Sequence, residues 1–161
     1  MSLDLIIGPA LPADAGPLLV VQRSAYVSEA QWYDETRIPP LVETLDEVVA
    51  AVAAGGVLVA RVDDEQRRLV GSVRWAMVDG VCHIGRLSVA TDLQGQGLGS
   101  RLLTAAEDAS GAERFTLFTG ADSSHNIRLY ERHGYAASHT ERLNERVTFV
   151  HMTKVRPAAS A

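Results

Sequence analysis

The chain has 161 residues, 47% of them apolar and 22% charged, with a net charge of −5. That is the size and balance of one globular domain able to bury its own core, and an acidic total argues against nucleic acid, which needs a basic footprint. The single cysteine, Cys82, excludes a disulfide framework and a multi-cysteine zinc site.

Residues 1–8 lack the basic start and long apolar core of a signal peptide. The longest apolar run, residues 48–60, is broken by Gly55-Gly56 and is too short to span a bilayer. A cytoplasmic protein with no membrane partner is therefore expected. Residues 1–155 read as one domain, followed by a frayed tail at 156–161.

In chain order, a strand is expected at 3–7. A helix starts at Leu11-Pro12-Ala13-Asp14 and extends through Leu18, Leu19 and residues 22–26. Residues 28–40, with Pro39-Pro40, read as irregular or as a short helix. Thr44 and Glu47 form a capping box for a helix whose face is Leu45, Val48, Val49 and Val52, ended by Gly55-Gly56. Strands follow at 57–62, 69–78 and 81–89, the last two joined by the hairpin signal Asp79-Gly80. Leu98, Leu102, Leu103 and Ala106 share one helix face, and that helix ends near Gly111. A strand at 115–119, a helix at 124–133 and two strands at 135–143 and 147–154 complete the order. Antiparallel hairpins with one strand–helix–strand crossover predict an α/β (α+β) fold with a mixed, mostly antiparallel sheet flanked by helices.

The most informative segment is Gln94-Gly95-Gln96-Gly97-Leu98-Gly99-Ser100, which leaves a strand and enters a helix. Glycines let backbone approach a ligand closely, and a helix start offers unpaired N–H groups at the positive end of a dipole. Together these make a phosphate cradle, although a glycine turn that only caps a helix is the plainer alternative. Ser100 stands where a dinucleotide fingerprint needs its third glycine, and no Gly-Lys-Ser/Thr ending marks a Walker loop.

The same loop resembles the Q/R-x-x-G-x-G/A signature of the GNAT superfamily of acyl-CoA-dependent N-acetyltransferases. Asn126-Ile127-Arg128-Leu129-Tyr130-Glu131-Arg132-His133-Gly134-Tyr135 is similar to that family's N-x-x-L-Y-x-x-x-G-F/Y hallmark. The close match covers residues 83–135, about a third of the chain. The resemblance implies a GNAT-type sheet splayed between strands four and five, with acetyl-CoA as cosubstrate and no metal. It implies that the diphosphate lies on the amides of Gln94, Gly95, Gln96, Gly97, Leu98, Gly99 and Ser100. The pantetheine arm would follow the strand end Leu87-Ser88-Val89, through backbone groups of Leu87 and Val89, with Asn126 beside it. Many members carry the asparagine seven residues before the tyrosine, where this chain has Ser123.

Acetylating an amine requires a free amine, a polarised carbonyl and a protonated leaving thiol. A lysine-like amine titrates near 10.4, so its neutral form at pH 7 costs roughly 4–5 kcal/mol, and a base is useful. His83 lies eleven residues before Gln94, where related branches place a base; a strand histidine facing solvent is the alternative. An ordinary imidazole is largely neutral at pH 7 and able to accept a proton. No carboxylate occurs in residues 115–119, where other branches carry one. Tyr130 matches the family's general acid and shares a helix face with Asn126 and Ile127. A strand amide, expected at Val89, would meet the carbonyl oxygen. Arg101, Arg128 and Arg132 are available to phosphates or to solvent. Cys82 alternates to the strand face opposite His83, so a Cys–His dyad is not expected.

On the acceptor side Trp32 and Tyr33 offer apolar surface, and Asp34 and Glu35 an attraction for a cationic amine. The resulting expectation is direct acetyl transfer to a small-molecule or peptide amine, with a homodimer allowed by the C-terminal strands. A catalytically silent acyl-CoA sensor is the alternative of a different class.

Overall fold

The computed structural model describes residues 3–157. Strand β1 (Leu5–Pro9) leads through a single 3-10 turn into helix α1 (Ala15–Tyr33), followed by α2 (Pro39–Val42) and α3 (Leu45–Ala54). Strands β2 (Val57–Val62), β3 (Leu69–Val78) and β4 (Val81–Val89) come next, then α4 (Leu98–Ser110), β5 (Arg114–Gly120), α5 (Ser124–Arg132), β6 (Ala136–Arg142) and β7 (Thr148–Val155). One seven-stranded sheet runs β1-β2-β3-β4-β5-β7-β6; all neighbours are antiparallel except β4 and β5. This is the mixed sheet expected from the element order. None of the described helices is long and apolar enough to cross a membrane.

Local chemistry accounts for the element ends. Thr44 sits extended at the start of α3 and accepts from the Glu47 amide at 3.2 Å, while Asp79 and Gly80 both take positive φ, as a two-residue hairpin turn with strand-matching twist requires. Most boundaries agree with the sequence reading to within a residue, and three differ by more. The first strand is at 5–9 rather than 3–7, where it pairs with β2. Helix α1 continues to Tyr33, through residues expected to be irregular, and ends on Asp34 in the left-handed region. Arg156 is tied down: its amide donates to the Glu113 carbonyl at 2.7 Å and its guanidinium pairs with Asp108 at 3.0 Å. The rest of the expected tail, 158–161, lies outside the described residues.

Two apolar layers sandwich the sheet. Helix α4 buries Leu98, Leu102, Leu103 and Ala106 on one face, with Phe115 and Met152; α1 and α3 bury Leu18, Val48 and Val52 on the other. α4 lies so close to β3 that a Cβ at Gly71 would come within 2.7 Å of Leu102 and 3.0 Å of the Ser88 carbonyl. Leu102 is fully enclosed. Leu102→Ala is expected to lower unfolding stability by about 2–5 kcal/mol in urea titrations, because the packed helix–strand contact cannot close around the lost volume.

Candidate active site

Strands β4 and β5 pair at only two positions, Cys82 with Phe115 and His83 with Thr116, and then diverge. Just beyond, β4 carries a bulge: Arg86 and Leu87 stand opposite the single residue Val73, and Arg86 takes a φ of 52°. A bulge of this kind bends the strand and re-aims its groups. The parting opens the sheet, and two cavities meet there.

The first cavity, about 480 Å³, lies over the glycine loop and the α4 start, with Leu87 and Val89 on one wall and Asn126 and Tyr130 on another. Gly95 and Gly97 have φ values of 77° and 85°, where a side chain is strained although the space beside each is open. The amides of Gly97, Leu98, Gly99 and Ser100 donate to no carbonyl or side chain among the described residues. That leaves a helix start with free amides at the wall of the cavity, which Arg132 also lines.

The second cavity, about 610 Å³, lies on the other side of the opening and is predominantly apolar, with Trp75, Phe118, Val147 and Phe149 in its wall. Its wall also holds Tyr33, His83, Arg74 and Arg86. Five residues belong to both cavities: Tyr26, Glu29, Leu87, Asn126 and Tyr130.

Helix α1 supplies one side of this junction through Gln22, Tyr26, Glu29 and Tyr33, four residues at helical spacing on one face. The Tyr26 hydroxyl donates to the Leu87 carbonyl at 3.3 Å, and Asn126 donates to Glu29 at 3.2 Å and to Thr119 at 3.3 Å. The Asp122 amide donates to the Tyr33 hydroxyl at 3.3 Å, and that ring lies so near Gly120 that any Cβ there would collide with it. Burial pushes the Glu29 carboxyl above its ordinary range, opposed by the Asn126 hydrogen bond. Burial, reinforced by Glu29, pushes the Tyr130 phenol far up. Burial does the same to Tyr26, aided by Tyr130 and Glu29.

The expected site residues divide between these places. Leu87, Val89, Gln94, Gly95, Gly97, Leu98, Gly99 and Ser100 line the first cavity, whereas Gln96 and Ser88 do not. Ser88 is buried, its hydroxyl donating to the Arg86 carbonyl. Trp32, expected on the acceptor side, lines the first cavity; Tyr33 lines the second. Asp34 and Glu35 line neither. Asp34 pairs with Arg146 at 3.6 Å, and Glu35 accepts from the Arg37 amide at 2.9 Å. His83 is exposed in the second cavity only, and Cys82 is buried on the opposite strand face.

Sequence reasoning missed Tyr26, Glu29, Arg74 and Arg86. The available signals were the 22-26-29-33 stripe continuing the helical period, and arginines inside otherwise apolar strands.

The sequence model of the acetyltransferase (GNAT) family matches residues 23–135, and the chain belongs to that family. No curated protein sequence gives a match. Among solved structures, the fold is similar to PaiA N-acetyltransferase from Thermoplasma acidophilum in complex with coenzyme A (15% identity, 95% of this chain and 99% of that one, TM-score 0.72). It is also similar to the ribosomal-protein-S18-alanine N-acetyltransferase of Escherichia coli (17%, 98% and 97%, TM-score 0.75). YncA from Salmonella typhimurium, solved with acetyl-CoA, is a third (19%, 98% and 97%, TM-score 0.73).

A carboxyl whose pKa is higher in the folded than the unfolded state adds stability below the unfolded value, and that contribution is lost as pH rises through the folded value. Glu29→Gln is therefore expected to raise the melting temperature at about pH 8 and to change it little at about pH 3. Asn126→Ala should move the Glu29 titration higher still in carboxyl NMR. A Glu29 titrating at or below a free glutamate would contradict this account of the junction.

Proposed function

We propose that this chain is an acetyl-CoA-dependent N-acetyltransferase that acts on a primary amine of a small molecule or peptide by direct attack in a ternary complex. The observation that carries this reading is the wall shared by the two cavities, which lets a ligand in one touch a ligand in the other. Relatives of the same fold solved with coenzyme A and acetyl-CoA support the choice of donor. A covalent relay has no support: burial pushes the Cys82 thiol up and the side chain is fully enclosed.

The free amides of Gly97, Leu98, Gly99 and Ser100 would hold the diphosphate, and backbone groups of Leu87 and Val89 the pantetheine arm. Bound acetyl-CoA supplies an acetyl group activated as a thioester. The transfer exchanges one N–H of the amine for an N–acetyl bond and breaks the C–S bond, so one proton leaves nitrogen and one arrives on sulfur.

Glu29 is the sole carboxylate in either wall among the described residues, and it belongs to both. Its position favours it over His83, which belongs to the acceptor cavity alone, as the group that receives the amine proton. Its raised pKa brings it nearer the working pH, as general-base catalysis favours. Tyr130 stays protonated throughout the neutral range because burial disfavours its phenolate. An unshifted phenol giving its proton outright to a thiolate is uphill by about 2 kcal/mol, and burial adds to that. Tyr130 therefore acts as a hydrogen-bond donor to the leaving sulfur. A strand amide, that of Val89, would meet charge on the carbonyl oxygen.

Calorimetry should show acetyl-CoA binding that Gly97→Val weakens about tenfold or more, since the cradle needs a positive φ at that position. Thiol-release assays on an amine panel should show turnover, with Tyr130→Phe lowering kcat about 100-fold while acetyl-CoA still binds. An unchanged kcat removes Tyr130 from the mechanism. Tight acetyl-CoA binding with no thiol release against any amine would mark a sensor instead.

A further inference from the structure

Behind the wall of the acceptor cavity lies a charge arrangement that the transfer chemistry does not use. Glu43, 6% exposed, accepts from Arg74 at 2.7 Å, from Arg86 at 3.1 Å and from Gln22 at 3.1 Å. Burial alone would push its carboxyl up, yet the hydrogen bonds from Arg74 and Gln22 and both guanidinium charges hold it below the usual range. Glu43 is thus ionised, and one carboxylate faces two guanidiniums. The cluster carries a net positive charge, and both of its arginines line the cavity.

Donors are left over as well. Arg86 uses only its Nε on Glu43, and its two terminal nitrogens have no partner among the described residues. Arg74 Nε and Trp75 Nε1 are buried with no acceptor. Both atoms are sealed from the cavity, and the terminal nitrogens of Arg74 donate to Glu43 at 2.7 Å and to Gln22 at 3.3 Å, so the donors open to a ligand are those of Arg86. Arg74, Trp75 and Arg86 all line the acceptor cavity. Arg86 also holds the positive φ of the β4 bulge, so its placement there is maintained against a backbone cost.

Resting on the acetyltransferase reading, we infer that the acceptor is an apolar α-amino acid: its carboxylate on the free terminal nitrogens of Arg86, with the charge of Arg74 behind them, its amine toward Glu29 and Tyr130, its side chain against Phe118, Phe149 and Val147. A zwitterion matches both signs of charge at once, and the apolar wall explains the remaining surface. A forked guanidinium with free terminal nitrogens suits a carboxylate in two-point contact. Asp34 and Glu35, from which an acidic attraction was expected, line neither cavity, so the inference places the amine beside Glu29 instead.

The test compares L-phenylalanine, L-phenylalaninamide, phenethylamine and a phenylalanine-initiated peptide in thiol-release assays at saturating acetyl-CoA. L-Phenylalaninamide keeps the shape, removes the negative charge and has the more readily freed amine. The expected kcat/KM favours L-phenylalanine over its amide by about 30-fold or more, the size of losing one partner of a desolvated charge pair. Arg86→Met should collapse that ratio toward unity, and calorimetry should show L-phenylalanine binding to the wild type but not to this variant. The wild-type ratio decides by itself if the variant does not fold. Equal or better use of the amide, the amine or the peptide overturns the inference and leaves the transferase reading standing. No thiol release with any amine, while acetyl-CoA binds, overturns both.

Discussion

The whole arrangement depends on β4 and β5 ceasing to pair after two residues. β5 keeps an unbroken seven-residue ladder with β7 on its other side, so the sheet stays intact while one seam opens. The bulge at Arg86 and Leu87 bends β4 at the point of departure. Backbone groups along an open seam cannot remain buried without partners. In this structure the Tyr26 hydroxyl takes the Leu87 carbonyl, so the seam already interacts with α1.

Helix α1 converts that gap into two chambers with a common wall. One face of the helix presents Gln22, Tyr26, Glu29 and Tyr33 along its length, reaching from the arginine cluster to the end of β5. Gln22 donates to both Glu43 and the Pro40 carbonyl, which binds α2 and its flanks to the same cluster. Glu29 and Asn126 then join α1 to α5 beside Tyr130. Both cavities are therefore walled by one helix rather than by independent loops, and under the proposed function such rigidity would serve the precise placement of reacting groups.

Two buried acidic clusters behave differently. Glu107 accepts from Tyr135 at 2.7 Å and from Lys154 at 2.8 Å, and it locks α4 to the strands behind it with each carboxylate oxygen partnered. The Glu43 cluster has more donors than acceptors and opens onto a cavity. Removing one partner from a closed buried pair leaves an uncompensated charge, whereas surplus donors beside a cavity are available to a ligand. The first cluster is closed on itself; the second presents Arg74 and Arg86 to the cavity.

Much of this was legible in one dimension because it is local. The glycine loop, the capping box at Thr44, the Asp79-Gly80 hairpin and the apolar face of α4 are set by backbone conformation and helical period, which neighbouring residues dictate. Tyr130 and Asn126 were singled out by the resemblance of residues 126–135 to a family hallmark, and helical spacing placed them on one face. Tertiary structure alone decided that α1 runs on to Tyr33 with a polar face turned inward, because its partners, Leu87, Asn126 and Asp122, lie far along the chain. It also decided that Trp32 and Tyr33, adjacent in sequence, face different cavities, and that Arg74 and Arg86 share Glu43 across three separate elements. The family-like motifs implied that the sheet opens between β4 and β5, but which distant side chains meet across that opening depends on contacts that neighbouring residues do not dictate.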